Sequence, residues 1–210
     1  MSETFLPKGG GYRALRVYRL TEAIHDLTAI FAERFIERGS RTKDQMVQAA
    51  RSGKQNIAEG SEASSTSKET EIKLTNVAKA SLEELLIDYQ DYLRQHSLPI
   101  WEKGHPRTVK MREYLKSSGF MDHPTAHAQG MNAEEYCNLM ITLINQSTYM
   151  LRKLIERQQE QFLKHGGIKE LMYKARTTYR ATHRSDQPDS SDQSDQSDQS
   201  DQSDQSDLSD

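Results

Sequence analysis

Residues 48–60 read QAARSGKQNIAEG, a helical pattern with a glycine in its middle. An internal glycine costs a helix about 1 kcal/mol relative to alanine, so something must offset it. Its neighbours Ala49, Ala50 and Ser52 are equally small. Together with Gly53 they let a second helix backbone approach more closely than a leucine would, which predicts close helix–helix packing. Gly60, at the end of the stretch, reads as a C′ glycine that closes the helix.

Working outward, the pattern stays helical. Val17, Leu20, Ile24, Leu27, Phe31 and Phe35 alternate spacings of three and four, one stripe of a first long helix that stops near Gly39. Met46, Ala49, Ala50, Gly53 and Ile57 mark a second. A third begins near Ser67 and Glu71 and ends around His96. Its apolar positions, among them Leu74, Val77, Ala78, Leu82, Leu85, Leu86, Tyr89, Tyr92 and Leu93, cover so wide an arc that it must touch several neighbours.

Breakers at Pro99, Gly104 and Pro106 follow, then a short helix near residues 107–116 and an irregular link. A fourth long helix runs from about Ala133 to His165, with Asn132 and Glu135 as its capping box. After Gly166 and Gly167 an amphipathic piece presents Leu171, Met172 and Tyr179 for docking. The fold class predicted is all-α: an up-down antiparallel four-helix bundle with an extra short helix before its last helix. Residues 1–14 read as a flexible N-terminus, 15–165 as the bundle including a 97–131 insertion, 166–184 as a helical suffix and 185–210 as a disordered acidic tail.

The tail repeats Ser, Asp and Gln, with only Leu208 to bury, and cannot offset the entropy of ordering. With nine of the 31 acidic residues in it, residues 1–184 keep 22 acidic against 28 basic residues, a formal charge of +6. The tail serves solubility, or competes with nucleic acid for a basic surface. Cys137 is the one cysteine, so no intrachain disulfide or thiolate cluster forms, in keeping with a reducing cytoplasm. The N-terminal residues lack a signal-peptide core and no apolar run spans a bilayer, so no membrane association is expected.

The succession Gln48-Ala49-Ala50-Arg51-Ser52-Gly53, then Asn56-Ile57-Ala58-Glu59-Gly60, then Ala80-Ser81-Leu82-Glu83-Glu84 resembles a family of bacterial four-helix-bundle proteins. That family was first named for open reading frames in intervening sequences of 23S ribosomal RNA genes, and includes the accessory variability determinant of diversity-generating retroelements. The match covers Tyr12 to Leu93, with the fourth long helix alike in pattern. It implies a homo-oligomer, a pentamer in that relative, and a reverse-transcriptase-like partner working with RNA or DNA. The long 97–131 segment and the suffix depart from the usual pattern and resemble the subgroup with a C-terminal suffix domain.

Within the motif, Gln48, Ala49, Ala50, Ser52, Gly53, Ile57, Gly60, Ser81 and Glu84 read as structural. Asn56 and Glu59 are expected to bond a neighbouring helix end or loop and fix register. The nucleic-acid surface is expected on Arg13, Arg16 and Arg19, which recur every three residues, on Arg38, Arg41 and Lys43 at the first turn, and on Arg51 and Lys54. A structural module that binds only a protein partner is the alternative, and metal binding a lesser one.

No enzyme activity and no cofactor are expected. A di-iron site needs Glu-x-x-His on two helices, with further inward Glu. Glu22–His25 and Glu102–His105 have that spacing, but His25 lies off the core stripe and His105 falls among breakers. Asp122, His123 and His127 are the other metal candidates, interrupted by Pro124. The glycines before Tyr12 follow no strand and so lack the context of a phosphate loop.

Overall fold

The computed structural model describes residues 10–126 and 128–183. Every element among them is helical: α1 (Arg16–Phe35), α2 (Arg41–Ala63), α3 (Lys68–Gln95), α4 (Pro106–Lys116), α5 (Ser118–Asp122), α6 (Ala133–His165) and α7 (Ile168–Thr182), with 3₁₀ turns at Tyr12–Ala14 and Ala128–Gly130. His127, residues 1–9 and the acidic tail lie outside the described residues.

Side-chain caps set the starts. The Ser40 hydroxyl accepts from the Thr42 N–H at 3.3 Å and Ser67 from Thr70 at 3.1 Å. Asn132 and Glu135 form the expected reciprocal box, with the Glu135 N–H 2.9 Å from Asn132 Oδ1. Gly60 does not end α2, contrary to the sequence reading. It is buried inside a helix that runs on to Ala63, and a Cβ there would stand 3.3 Å from Glu71 O and from Leu74 Cβ. Tight contact with α3, not a left-handed turn, requires glycine at this position.

Gly53 makes the same contact one heptad earlier. A Cβ there would meet Leu82 Cδ2 at 2.8 Å and Cγ at 2.9 Å. The order of these contacts, Gly53 with Leu82 and Gly60 with Glu71, runs α2 antiparallel to α3. Tyr136 Oη donates to Leu27 O at 2.9 Å, and Gln158 Nε2 to Thr75 Oγ1 at 3.2 Å. Thus α6 opens beside the end of α1 and closes beside the start of α3.

The core lies between α1, α2, α3 and α6: Leu20, Ile24, Leu27, Met46, Ala50, Leu82, Leu85, Met140 and Leu143 are fully buried. At one end Phe31 meets the rings of Phe35, Tyr89, Tyr92 and Tyr136, with centroids 5.0–5.4 Å apart.

Three expectations are revised. Segment 97–131 is no appendage: Leu115, Phe120 and Ala128 sit in the same core, and part of the supposed irregular link is α5. Arg34 ties it to α1 by donating to the carbonyls of Ala128 and Met131. Gly10, assigned with the N-terminal segment, donates its N–H to Ser61 O at 3.0 Å, and Tyr12 packs edge-on to Tyr18 at 4.7 Å. Finally, α7 buries no residue; Met172 and Tyr179 are exposed and Leu171 is half-buried, so the suffix does not dock through them.

Candidate nucleic-acid interface

The eight basic residues expected to form one surface are dispersed. Arg13 precedes α1, in the 3₁₀ turn, with its guanidinium 5.9 Å from the Tyr12 ring centre, so it does not share a helix face with Arg16 and Arg19. Arg19 donates to Met121 O at 3.4 Å. Arg38 and Arg41 lie at the far end of α1, a helix about 30 Å long at 1.5 Å per residue. Lys43 is held by Glu33 at 2.7 Å. Lys54 lines a pocket with Arg19, Glu22 and Asp26, where charges are mixed, and Arg51 is exposed on α2. Runs close in sequence part in space because successive helices turn back on each other.

The structure draws together a different set. On α7, Lys169, Tyr173, Arg176 and Arg180 follow i, i+4, i+7 and i+11, within roughly 60° of arc and about 16 Å of axis. All four are exposed, and among the described residues none of the three cations is in an ion pair. Ile168, Leu171, Met172, Ala175 and Tyr179 form the adjoining apolar stripe. The spacing of the cations was legible in the sequence, but attention to the apolar residues as a docking face hid it.

The motif residues form a second feature. Ser52 Oγ and Ser81 Oγ are 2.9 Å apart across the α2–α3 seam. Asn56 Nδ2 donates to Ser52 O at 2.9 Å and to its Oγ at 3.2 Å, while Glu59 is exposed. The expectation that both reach a neighbouring helix end or loop is therefore corrected: Asn56 orients Ser52 within its own helix, and Ser52 makes the crossing. Gln48, Ala49, Ser52, Ser81 and Glu84 line an open groove of about 730 Å³ with Arg41, Asp44, Gln45 and Asp88.

Partial burial, then the neighbouring Asp91 and Glu84 carboxylates, raise the Asp88 carboxyl above its ordinary value. The folded state thus holds this proton to higher pH than the unfolded chain. The stability it contributes is complete below the unfolded value and is lost as pH rises through the folded one. Asp88→Asn, neutral throughout, is expected to raise the urea midpoint at pH 7 and to leave it nearly unchanged around pH 3, where both side chains are uncharged. Unfolding followed by circular dichroism at the two pH values checks this.

The metal candidates are spread over separate elements. Glu22 is exposed on α1, and His25 Nδ1 lies 3.4 Å from Asp26 Oδ1. Glu102 is exposed; His105 caps α4 by accepting from the Arg107 N–H and stacks on Trp101 at 5.2 Å. Asp122 and His123 close α5, and His127 is outside the described residues. Among the described residues no group of three or more His, Cys, Asp or Glu is placed to hold a metal ion. Burial of Cys137 pushes its thiol up to about 12, away from nucleophilic use.

No family model, curated protein or solved structure matches the chain. Among the described residues, no helix is long and apolar enough to cross a membrane.

Proposed function

We propose that the chain is a non-enzymatic, cytoplasmic, homo-oligomeric adaptor, an up-down antiparallel four-helix bundle of the 23S intervening-sequence type, which binds RNA or DNA through basic side chains. The motif at residues 48–60 and 80–84 supports the family reading, and the antiparallel packing of α1, α2, α3 and α6 supports the bundle. The observation that carries nucleic-acid binding is the unpaired line Lys169, Arg176 and Arg180 on α7, with Tyr173 among them. Cations recruit phosphates by releasing condensed counterions, and an interleaved tyrosine gives an unpaired base a surface to stack on.

Arg13 and Arg16 are secondary contacts at the other end of the chain. The expected result in a mobility-shift series at rising salt is steeply salt-dependent retention of single-stranded RNA or DNA. Lys169→Glu, Arg176→Glu and Arg180→Glu together reduce the salt slope by about three, one for each lost phosphate contact. Arg13→Glu with Arg16→Glu reduces it less. Absence of retention at low salt rejects the reading.

A second reading has its own observation: Met172 and Tyr179 are 53% and 64% exposed on the apolar stripe of α7. A helix face of this kind also suits a groove on a protein partner, such as a reverse-transcriptase-like enzyme. A stoichiometric protein retained after nuclease treatment, and lost on Met172→Asp, favours that reading.

A further inference from the structure

A cavity of about 190 Å³ lies where the Gly10–Gly11 turn meets the end of α2, the start of α3 and the end of α6. Its position follows from glycines. Gly60 lets the first turns of α3 lie against α2, and Gly10 and Gly11, at φ +88° and +89°, bend the chain so that the Gly10 N–H reaches Ser61 O. Leu15, Ile57 and Leu154 supply apolar wall, while Gln158 and Glu71 supply a polar end.

Gln158 is 5% exposed and its Oε1 has no hydrogen-bond partner. Its orientation is fixed by chemistry. The Thr75 hydroxyl spends its hydrogen on Glu71 O at 2.8 Å, and the Glu71 carboxylate only accepts. Both therefore require the NH₂ side of Gln158, which donates to each at 3.2 Å. The carbonyl is left turned away from them, and a buried acceptor of this kind calls for a donor. Lys68 neutralises the other Glu71 oxygen at 2.9 Å.

We propose that this cavity binds a primary alkylammonium: the ammonium group donates to Gln158 Oε1 beside the Glu71 carboxylate, and the aliphatic stem lies along Leu15, Ile57 and Leu154. An anion would face only acceptors. A water would find apolar wall where it needs two to four polar partners, and the volume matches about six waters, room for a four-carbon amine. The same chemistry has two sources, a free aliphatic amine and a lysine side chain; Lys8 stands two residues before Gly10 in the sequence.

The test titrates n-butylammonium chloride into the full chain at neutral pH and follows the Gln158 side-chain amide by NMR. Wild type, Lys8→Met and Gln158→Met are compared, and neutral 1-butanol serves as the uncharged probe on the unaltered chain. Saturable binding in wild type assigns the cavity to a free amine. Saturable binding only in Lys8→Met assigns it to the chain's own lysine. In either case Gln158→Met, followed on neighbouring backbone amides, weakens binding about tenfold or more, as loss of a hydrogen bond to a charged group requires. No saturable binding in wild type or Lys8→Met overturns the proposal, as does equal binding of butanol, which needs no variant to fold.

Discussion

Gly53→Val is expected to destabilise the protein by about 3 kcal/mol, read as a lower urea midpoint at unchanged slope. A Cβ at this position would stand 2.8 Å from Leu82 Cδ2 and 2.9 Å from its Cγ, and valine adds two further methyls. Leu82 is completely buried and has nowhere to retreat. The gain in helix propensity over glycine, a few tenths of a kcal/mol, is too small to compensate. A neutral result would mean that α2 and α3 do not touch at this point.

Alanine gives the sharper form of the test. Gly53→Ala gains about 1 kcal/mol in propensity and loses more to the same collision, so a net loss of about 1 kcal/mol is expected. In a Leu82→Ala background the obstructing atoms are gone and the new methyl fills part of the hole. There, Gly53→Ala is expected to stabilise. Such a reversal of sign is a coupling that helix propensity alone, which ignores α3, cannot produce.

How much of this was legible beforehand depended on where each signal resides. Helix starts are local: Ser67 and the Asn132–Glu135 pair announce theirs through side chains that meet their own backbone. The end of α2 was misread because one residue type answers two needs. Gly60 satisfies the local pattern of a C′ residue, while its actual requirement, contact with Glu71 and Leu74, comes from another helix. Leu115, Phe120 and Ala128 join the core from separate short turns, so no period marks them. For α7, amphipathicity shows which face wants cover but not what covers it. The basic residues failed as one surface for a geometric reason: Arg16 and Arg38 sit near opposite ends of α1. The cavity could not have been anticipated at all, since Gln158 and Thr75 are brought together only by the antiparallel packing of α3 and α6.

Phe31→Ala is expected to have the largest effect of any single truncation, about 3–5 kcal/mol. Its ring touches Phe35 in its own helix, Tyr89 and Tyr92 of α3, and Tyr136 of α6, so one side chain joins three helices. The site has little freedom to collapse. Tyr89 is pinned by a 3.1 Å hydrogen bond to Thr28, and Tyr136 by one of 2.9 Å to Leu27 O. Moving either ring inward to fill the hole would strand a buried hydroxyl, so the cavity stays open and the cost falls at the upper part of the range. Against a total of about 5–15 kcal/mol for a domain, that takes a third or more of the stability. Urea unfolding monitored by circular dichroism and by tyrosine fluorescence checks it. A loss under about 1 kcal/mol would show that α1, α3 and α6 are not held at this end by a shared aromatic core.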